Sequence, residues 1–597
     1  MTVGPTALIS SESGVAGLPI STQIQPLYRK KMKLKVSPAT AFWLLIVAIL
    51  VVPIFLFLSV AFSPKLLSQG NQWFTVSSFG QIIHGPFLHA ITNSFIVGII
   101  TALVSAAIGL GVSFIVLRTD APLRRVWSTT IFALLLAPSY LIALGWQRII
   151  EPAGVLEVFG FHATSLRQVF YGPVGIILVL TVKGIPFSYL VISNAMRSLG
   201  GEFEQAARVH GGSKFDAFRM MSNLLMPAIW SAIAIVFAEA ISDFGVAATL
   251  SSASHFPVAT YSLYNAIEGY PAQFPIAAAV SWILLLLIVI ALLLQWMTLR
   301  GRSYRVLSGR TRPVQLHQLT VRGKLFGSGT ILFTLLATLG IPAFGAVSAS
   351  LIGGLGSPFD KHSWGFSNYI RVIHSSTLHS PLLFSARMAL ITATAAMFLA
   401  AIVAKMLTAK KINVGSQILD FILLAAVALP GIVFAAGYIF AYNLPFTNHI
   451  GLHLYGTTLL LILAYLAGAL PATSRSLVGN MSQLHESMSD ACRVHGSSAI
   501  RTWFEVVMPV VAKPLVAAWL LTYSGTLLEL PISQLLYPAG HEPISVGIDK
   551  ALHNYDFGGG TAMEVLGILS AIVVVGIAYG LFKFLAPTGW KKIGVTV

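Results

Sequence analysis

Long apolar stretches leave this sequence few ways to fold. A helix needs about 20 apolar residues to cross a roughly 30 Å hydrocarbon core. Twelve stretches qualify, at about 40–63, 91–117, 126–147, 173–196, 228–250, 276–298, 330–352, 384–407, 418–442, 455–474, 512–536 and 563–586. The cleanest runs from Ile276 to Met297, while the fifth and eleventh carry acids. Strands of a membrane barrel would alternate over about ten residues, and these stretches do not. Only 10% of the residues are charged, against about 25% in soluble domains. A single cysteine, Cys492, excludes a disulfide scaffold and any cysteine-built zinc or iron–sulfur centre. The expected fold class is therefore all-α: a polytopic membrane protein with twelve transmembrane helices.

The net charge of +17 reports topology. With the N-terminus inside, 29 Lys and Arg residues fall on the cytoplasmic side and six (Lys65, Arg148, Arg167, Lys361, Arg371 and Lys550) fall outside. That asymmetry predicts both termini in the cytoplasm and gives no reason to expect nucleic-acid binding. The opening residues are polar and contain no apolar core of signal-peptide type. Residues 1–36 read as a flexible cytoplasmic tail.

The chain also repeats itself at a distance of about 290 residues. Gln81-Ile-Ile-His84 answers Arg371-Val-Ile-His374, and Ala137-Pro138 answers Leu429-Pro430. Ala206-Ala-Arg-Val-His-Gly211 answers Ala491-Cys-Arg-Val-His-Gly496, each followed by Met-Pro at Met226-Pro227 and Met508-Pro509. Six spans per half is an even number, so the repeats are parallel and both matched segments face the cytoplasm. The expected organisation is a first repeat over 37–298, a cytoplasmic linker over 299–327 and a second repeat over 328–597.

The matched segments are polar, helix-prone islands. A helix-breaking Gly and a later Pro suggest two short helices at an angle, with the first presented to a partner's groove. This pattern resembles the Glu-Ala-Ala loop of binding-protein-dependent ABC importer permeases, the coupling helix that docks on the ATP-binding subunit. The resemblance implies the type I importer permease fold. It assigns coupling to Gln205, Ala206, Ala207 and Gly211 in the first half, and to Asp490, Ala491, Cys492 and Gly496 in the second. The usual Glu is replaced by Gln205 and Asp490, and the proline lies sixteen positions after Gly211 in the first copy and thirteen after Gly496 in the second. Ala238-Glu-Ala-Ile-Ser-Asp-Phe-Gly245 and Glu529-Leu-Pro-Ile-Ser-Gln-Leu-Leu-Tyr-Pro538 look like segments of the fused, twelve-span permeases of the iron(III) family. The resemblance implies two copies of an ATP-binding subunit holding ATP and Mg, one periplasmic solute-binding protein, and residence among the lipids of a bacterial inner membrane. Iron(III) or an iron complex is the implied cargo. Phosphonate, sugar phosphate and thiamine are carried by relatives.

Glu239, Asp243 and Glu529 lie in or beside predicted spans, where an ionisable group costs roughly 2.5–3.5 kcal/mol on insertion scales. They are candidates for the translocation path. The alternative is a structural role, for example a pair with Lys183 or Arg387. Pro138, Pro430, Gly245 and Pro531 are candidate helix breaks near that path. The spacing of His84 with His89, and of His374 with His379, does not align imidazoles on one helix face, so no metal site is expected. No P-loop motif occurs, so the chain is expected to be no enzyme and to hold no cofactor. An ion-coupled secondary transporter using the three acids is the rival of a different class. A membrane-embedded enzyme lacks any supporting motif.

Overall fold

The computed structural model describes residues 38–585 apart from 68–69, 153, 159–160, 162, 201–208, 255, 300–315, 353–363, 410–413, 428, 450, 452, 483 and 485. The chain divides into two compact units, Met1–Leu45 and Ile46–Val597. The elements below belong to the second. The proposed tail, and Gln205, Ala206 and Ala207, lie outside the described residues. Among the described residues, nine helices are long and apolar enough to cross a membrane, or up to twelve if three bent pairs each count as one span.

The first half contains α1 (Val52–Val60), α2 (Pro86–Arg118), α3 (Arg124–Leu136), α4 (Ser139–Ile150), α5 (Pro173–Ser198), α6 (Met226–Ser242), α7 (Ala259–Glu268) and α8 (Phe274–Leu299). The second contains α9 (Val321–Leu335), α10 (Ile341–Leu351), α11 (Ser376–Leu407), α12 (Val414–Val427), α13 (Gly431–Ala441), α14 (Thr458–Met481), α15 (Met508–Leu527), α16 (Pro531–Leu536), α17 (Ile544–His553) and α18 (Phe557–Leu585). In each half three long helices pack on one another: α2, α5 and α6, then α11, α14 and α15. Small residues allow the close approach. Gly109 of α2, for example, lies so near Ser188 of α5 that a Cβ would not fit.

Two of the apolar stretches are not straight spans. The third bends by 108° between Leu135 and Ser139, and the ninth by 110° between Val427 and Gly431. Pro138 and Pro430 sit at these breaks as the residues preceding α4 and α13, where a proline's fixed φ suits a helix start. The fifth and eleventh stretches also break. Helix α6 ends at Ser242 and α15 at Leu527, with extended or irregular backbone at Asp243 and Leu528. Glu239 and Asp243 are four residues apart, the spacing of one helical face, but Asp243 lies just past the end of that helix, in extended conformation.

Each half lends its opening helix to the other. Helix α1 packs on α13, and α10 packs on α4. Both lending helices hold a π-helical turn, Val47–Val51 and Leu336–Gly340, just before a proline, Pro53 and Pro342. A proline donates no hydrogen bond, so carbonyls one turn earlier lose their donor. Aromatic residues of the opposite half replace it. The Tyr438 hydroxyl donates to Ile49 O at 2.8 Å, the Tyr442 hydroxyl to Ala48 O at 3.3 Å, and Trp146 Nε1–H to Ala337 O at 3.3 Å. A glycine makes room at each crossing. A Cβ on Gly437 would lie 2.9 Å from Pro53 O, and one on Gly145 would collide with the Pro342 backbone.

The stretch read as a linker ends in a clasp. Helix α9 begins at Val321, earlier than the hydropathy indicates, because Thr320 caps it by accepting from Gly323 N–H. His317 N–H donates to Arg118 O, and Asp120 N–H donates to His317 O. The Asp120 carboxylate accepts from Leu319 N–H at 2.8 Å and pairs with Lys324 at 3.0 Å. These bonds hold the Asp120 carboxyl below its ordinary range.

Overpacking the crossing has a predictable cost. Gly145→Ala should destabilise the detergent-solubilised protein by about 1–3 kcal/mol. Gly329→Ala in α9, where a Cβ meets nothing within 4 Å, should change stability by less than about 0.5 kcal/mol. Thermal melts of both variants check this.

Candidate functional site: a central cavity and two exposed turns

The four helix breaks meet around a cavity of about 580 Å³. Its wall includes all three acids expected on the path, Glu239, Asp243 and Glu529, together with Lys183, Pro138 and Pro430. The breaks touch in pairs. In the first half a Cβ on Gly245 would strike the Ser139 hydroxyl, and in the second a Cβ on Gly431 would lie 3.1 Å from Pro531.

Asp243 and Glu529 perform the same local task. Each break exposes N–H groups that lipid cannot satisfy. The Asp243 carboxylate accepts from Val246 N–H at 2.7 Å. The Glu529 carboxylate accepts from Ile532 N–H at 2.8 Å and from Ser533 N–H at 3.0 Å. The backbone carbonyls of both acids are held too, Asp243 O by the Thr260 hydroxyl at 2.9 Å and Glu529 O by the Ser545 hydroxyl at 2.6 Å. The helices bearing those hydroxyls start on matched bonds, Ala259 N–H to Ser94 Oγ and Ile544 N–H to Ser385 Oγ, both 2.8 Å. Asp243 and Glu529 are thus helix caps that also face the cavity.

Glu239 differs. It lines the cavity with its side chain exposed there and makes no hydrogen bond or ion pair among the described residues. Lys183 donates to Ala137 O at 2.7 Å and Leu135 O at 3.4 Å, which caps the broken end of α3, and it interacts electrostatically with Glu239 and Asp243. Arg387, the other cation considered as a partner, is exposed on α11.

Two buried groups were missed by sequence reasoning. Glu564 of α18 is 2% exposed and interacts electrostatically with Arg148 of α4. The signal was an acid inside the twelfth apolar stretch. Tyr140 of α4 lines the cavity, is 3% exposed, and its hydroxyl has no partner. No pattern in the sequence distinguishes it from a packing tyrosine.

The two matched islands are exposed turns. Gly211 and Gly496 have φ of 75° and 80°, a left-handed conformation that glycine adopts without penalty. Gly496 follows the helix Glu486–Val494, and Ser497 N–H bonds back to Cys492 O at 3.0 Å. This is the Schellman arrangement, which places glycine after the helix end. A serine then starts the next helix in both copies. Ser213 and Asp216 form a reciprocal capping box that holds the Asp216 carboxyl below its ordinary range, and Ser498 Oγ accepts from Arg501 N–H at 3.3 Å. Asp490 and Ala491 are exposed and Cys492 is half-buried. Sequence reasoning did not single out Val209 and Val494, yet they are 84% and 85% exposed. A branched apolar side chain is thus held in solvent at both matched positions.

The copies differ beyond the turn. The first continues as Lys214–Leu224 and meets α6 at a 63° bend. The second runs through a π-helical turn at Trp503–Val507 directly into α15. The longer spacer of the first copy is the sequence origin of that bend.

Residues 105–302 match the family described as binding-protein-dependent transport system inner membrane component. That segment, about a third of the chain, is similar to this family. It is 23% identical over 453 residues to the ferric transport system permease protein FbpB of Actinobacillus pleuropneumoniae, an alignment covering 73% of this chain and 62% of that relative. It is 22% identical to a putative ferric transport system permease protein FbpB 1 of Haemophilus influenzae, over 81% of this chain and 76% of the relative. A probable sulfate transport system permease protein cysT of Nephroselmis olivacea is 26% identical over 40% of this chain and 84% of the relative. The helical architecture, with nine to twelve candidate membrane spans among the described residues, agrees with that likeness.

The cap assignments predict an asymmetry between acids that look alike in sequence. Glu529→Ala leaves two backbone donors without an acceptor and should cost about 1–3 kcal/mol. Glu239→Gln removes no bond and should cost less than about 0.5 kcal/mol. Melting of the purified variants distinguishes the two.

Proposed function

We propose that this chain is the membrane subunit of an ATP-driven importer that passes iron(III), delivered by a periplasmic binding protein, across the bacterial inner membrane. The observation that carries this reading is the pairing of two exposed, matched turns with one central cavity bounded by four helix breaks. Two turns suit two copies of an ATP-binding subunit, which would hold the ATP and Mg. One cavity suits a single binding protein on the opposite face. The excess of Lys and Arg in the loops supports cytoplasmic termini.

In this scheme ATP draws the two ATP-binding subunits together, and the turns at Gly211 and Gly496 move with them. The halves rock about the crossings at Gly145 and Gly437, and the cavity changes the face to which it opens. Nucleotide acts because it favours one of the two states. The matched caps keep each break intact during the movement, so each half moves as a rigid unit. Coupling is assigned to the turns that carry Gln205, Ala206, Ala207 and Gly211, and Asp490, Ala491, Cys492 and Gly496, with Val209 and Val494 as the apolar contacts.

The cavity wall favours iron over sulfate, the cargo named for other relatives. It carries three carboxylates, Glu239, Asp243 and Glu529, against one lysine, and that lysine is occupied by helix-end carbonyls. Such a wall attracts cations and repels oxyanions.

Val209→Asp combined with Val494→Asp should leave the chain inserted and lower ATP-driven iron uptake by about tenfold or more, since the change desolvates a charge at each contact. Uptake in vesicles containing the complete transporter measures this. Uptake that survives vanadate but collapses with a proton ionophore would instead support an ion-coupled carrier.

A further inference from the structure

The halves part company at two positions, and the difference opens a side pocket. In the first half Lys183 stands three residues before Pro186, the proline inside α5, and Glu239 four residues before Asp243. In the second half the residue three before Pro471 in α14 is Gly468, and the residue four before Glu529 is Gly525. A lysine and a glutamate in one half are thus replaced by two glycines in the other. Both glycines line a pocket of about 450 Å³. It is continuous with the central cavity through Glu239, Gly431 and Glu529, which border both.

The pocket presents oxygen. The carboxylate of Glu529 caps α16 from its wall, and Glu239 reaches it from the first half with no bond of its own. Thr473 and Thr522 line it, hydrogen-bonded to each other at 2.7 Å. Tyr140, the buried hydroxyl without a partner, lies on the adjoining cavity wall and interacts electrostatically with Glu529 and Tyr465. In the first half Lys183 occupies the equivalent position on α5. In the second half no positive side chain belongs to the described pocket wall.

The geometry points to this side pocket as a transit site for a hydrated metal cation, bound by the carboxylates of Glu239 and Glu529 and by hydroxyl oxygen. The inference rests on the importer reading and narrows where its cargo pauses. Hard cations take oxygen ligands of this kind. Among the described residues no group of three or more His, Cys, Asp or Glu gathers to hold a metal. Two carboxylates and hydroxyls therefore make a weak site, as passage requires, because a tightly bound ion would not leave. The arrangement is one-sided: cargo rests against the second half while Lys183 closes the equivalent space in the first.

The test uses the purified full chain in detergent with terbium(III) as an oxygen-seeking cation whose emission is sensitised by nearby tyrosines such as Tyr465 and Tyr140. The native chain should show saturable sensitised emission. Glu239→Gln and Gly525→Leu should each weaken binding by about tenfold or more, the scale on which the loss of a supporting group acts on metal sites. The leucine enters the pocket from a position where a Cβ meets nothing within 4 Å, and an unchanged thermal melt shows that the fold is kept. Glu505→Gln, on an exposed turn, serves as the control and should bind as the native chain does. Equal terbium affinity in the native chain and both pocket variants overturns the proposal, as does saturable binding of sulfate that these substitutions strengthen. ATP-driven iron uptake, measured separately, keeps the two readings apart. Terbium binding that depends on Glu239 in a chain that moves no iron would overturn the importer reading and leave the pocket standing. Iron uptake with terbium binding indifferent to both substitutions would overturn the pocket alone.

Discussion

A helix interrupted inside a bilayer leaves backbone donors and acceptors that lipid cannot satisfy, and this chain interrupts four helices around one cavity. Everything central to the architecture follows from how those groups find partners. At Asp243 and Glu529 a carboxylate takes the free N–H groups of the following segment. At the end of α3 a lysine gives its protons to the last carbonyls. The charges that make the cavity polar are the same charges that hold its walls together. An acid of this kind cannot be assigned to structure or to transport by its position in the chain, because it caps a helix and faces the cavity at once.

Twofold repetition governs most of the molecule. The caps, the hydroxyls that hold the cap carbonyls and the serines that start α7 and α17 all recur. So does the exchange of opening helices across the halves. Two departures from the repeat lie at the exposed turns and at the cavity. The first exposed turn enters α6 through a bend, whereas the second feeds α15 directly. The cavity wall carries Lys183 and Glu239 on one side and glycines on the other. Gene duplication supplies the frame, and these unmatched positions are where one half can act differently from its twin.

Much of this was legible in the sequence for identifiable reasons. The apolar stretches, the repeat offset and the two polar islands could be read because each depends on many residues at once. Pro138, Pro430, Glu239, Asp243 and Glu529 stood out because proline and acid are costly in apolar helices, and all five line the cavity. What escaped was three-dimensional. Hydropathy averages over a window, so it ran the fifth and eleventh stretches straight through breaks that single capping bonds determine. The exchange of opening helices has no local signature, since Gly145 and Gly437 read as ordinary small residues. Val209 and Val494 were overlooked because a valine next to apolar spans carries no information until its exposure is known. Glu564 was visible as an acid, but its proximity to Arg148 depends on two helices from opposite ends of the chain.

The exchanged opening helices also bear on biogenesis. Helix α4 presents Gly145 to a neighbour that the ribosome makes almost two hundred residues later, at Pro342. Helix α13 meets a partner, α1, that precedes it in the chain. The first six spans therefore enter the membrane with an open seam, and that seam closes only when α10 arrives. Each repeat as folded thus keeps one of its helices packed on the other half.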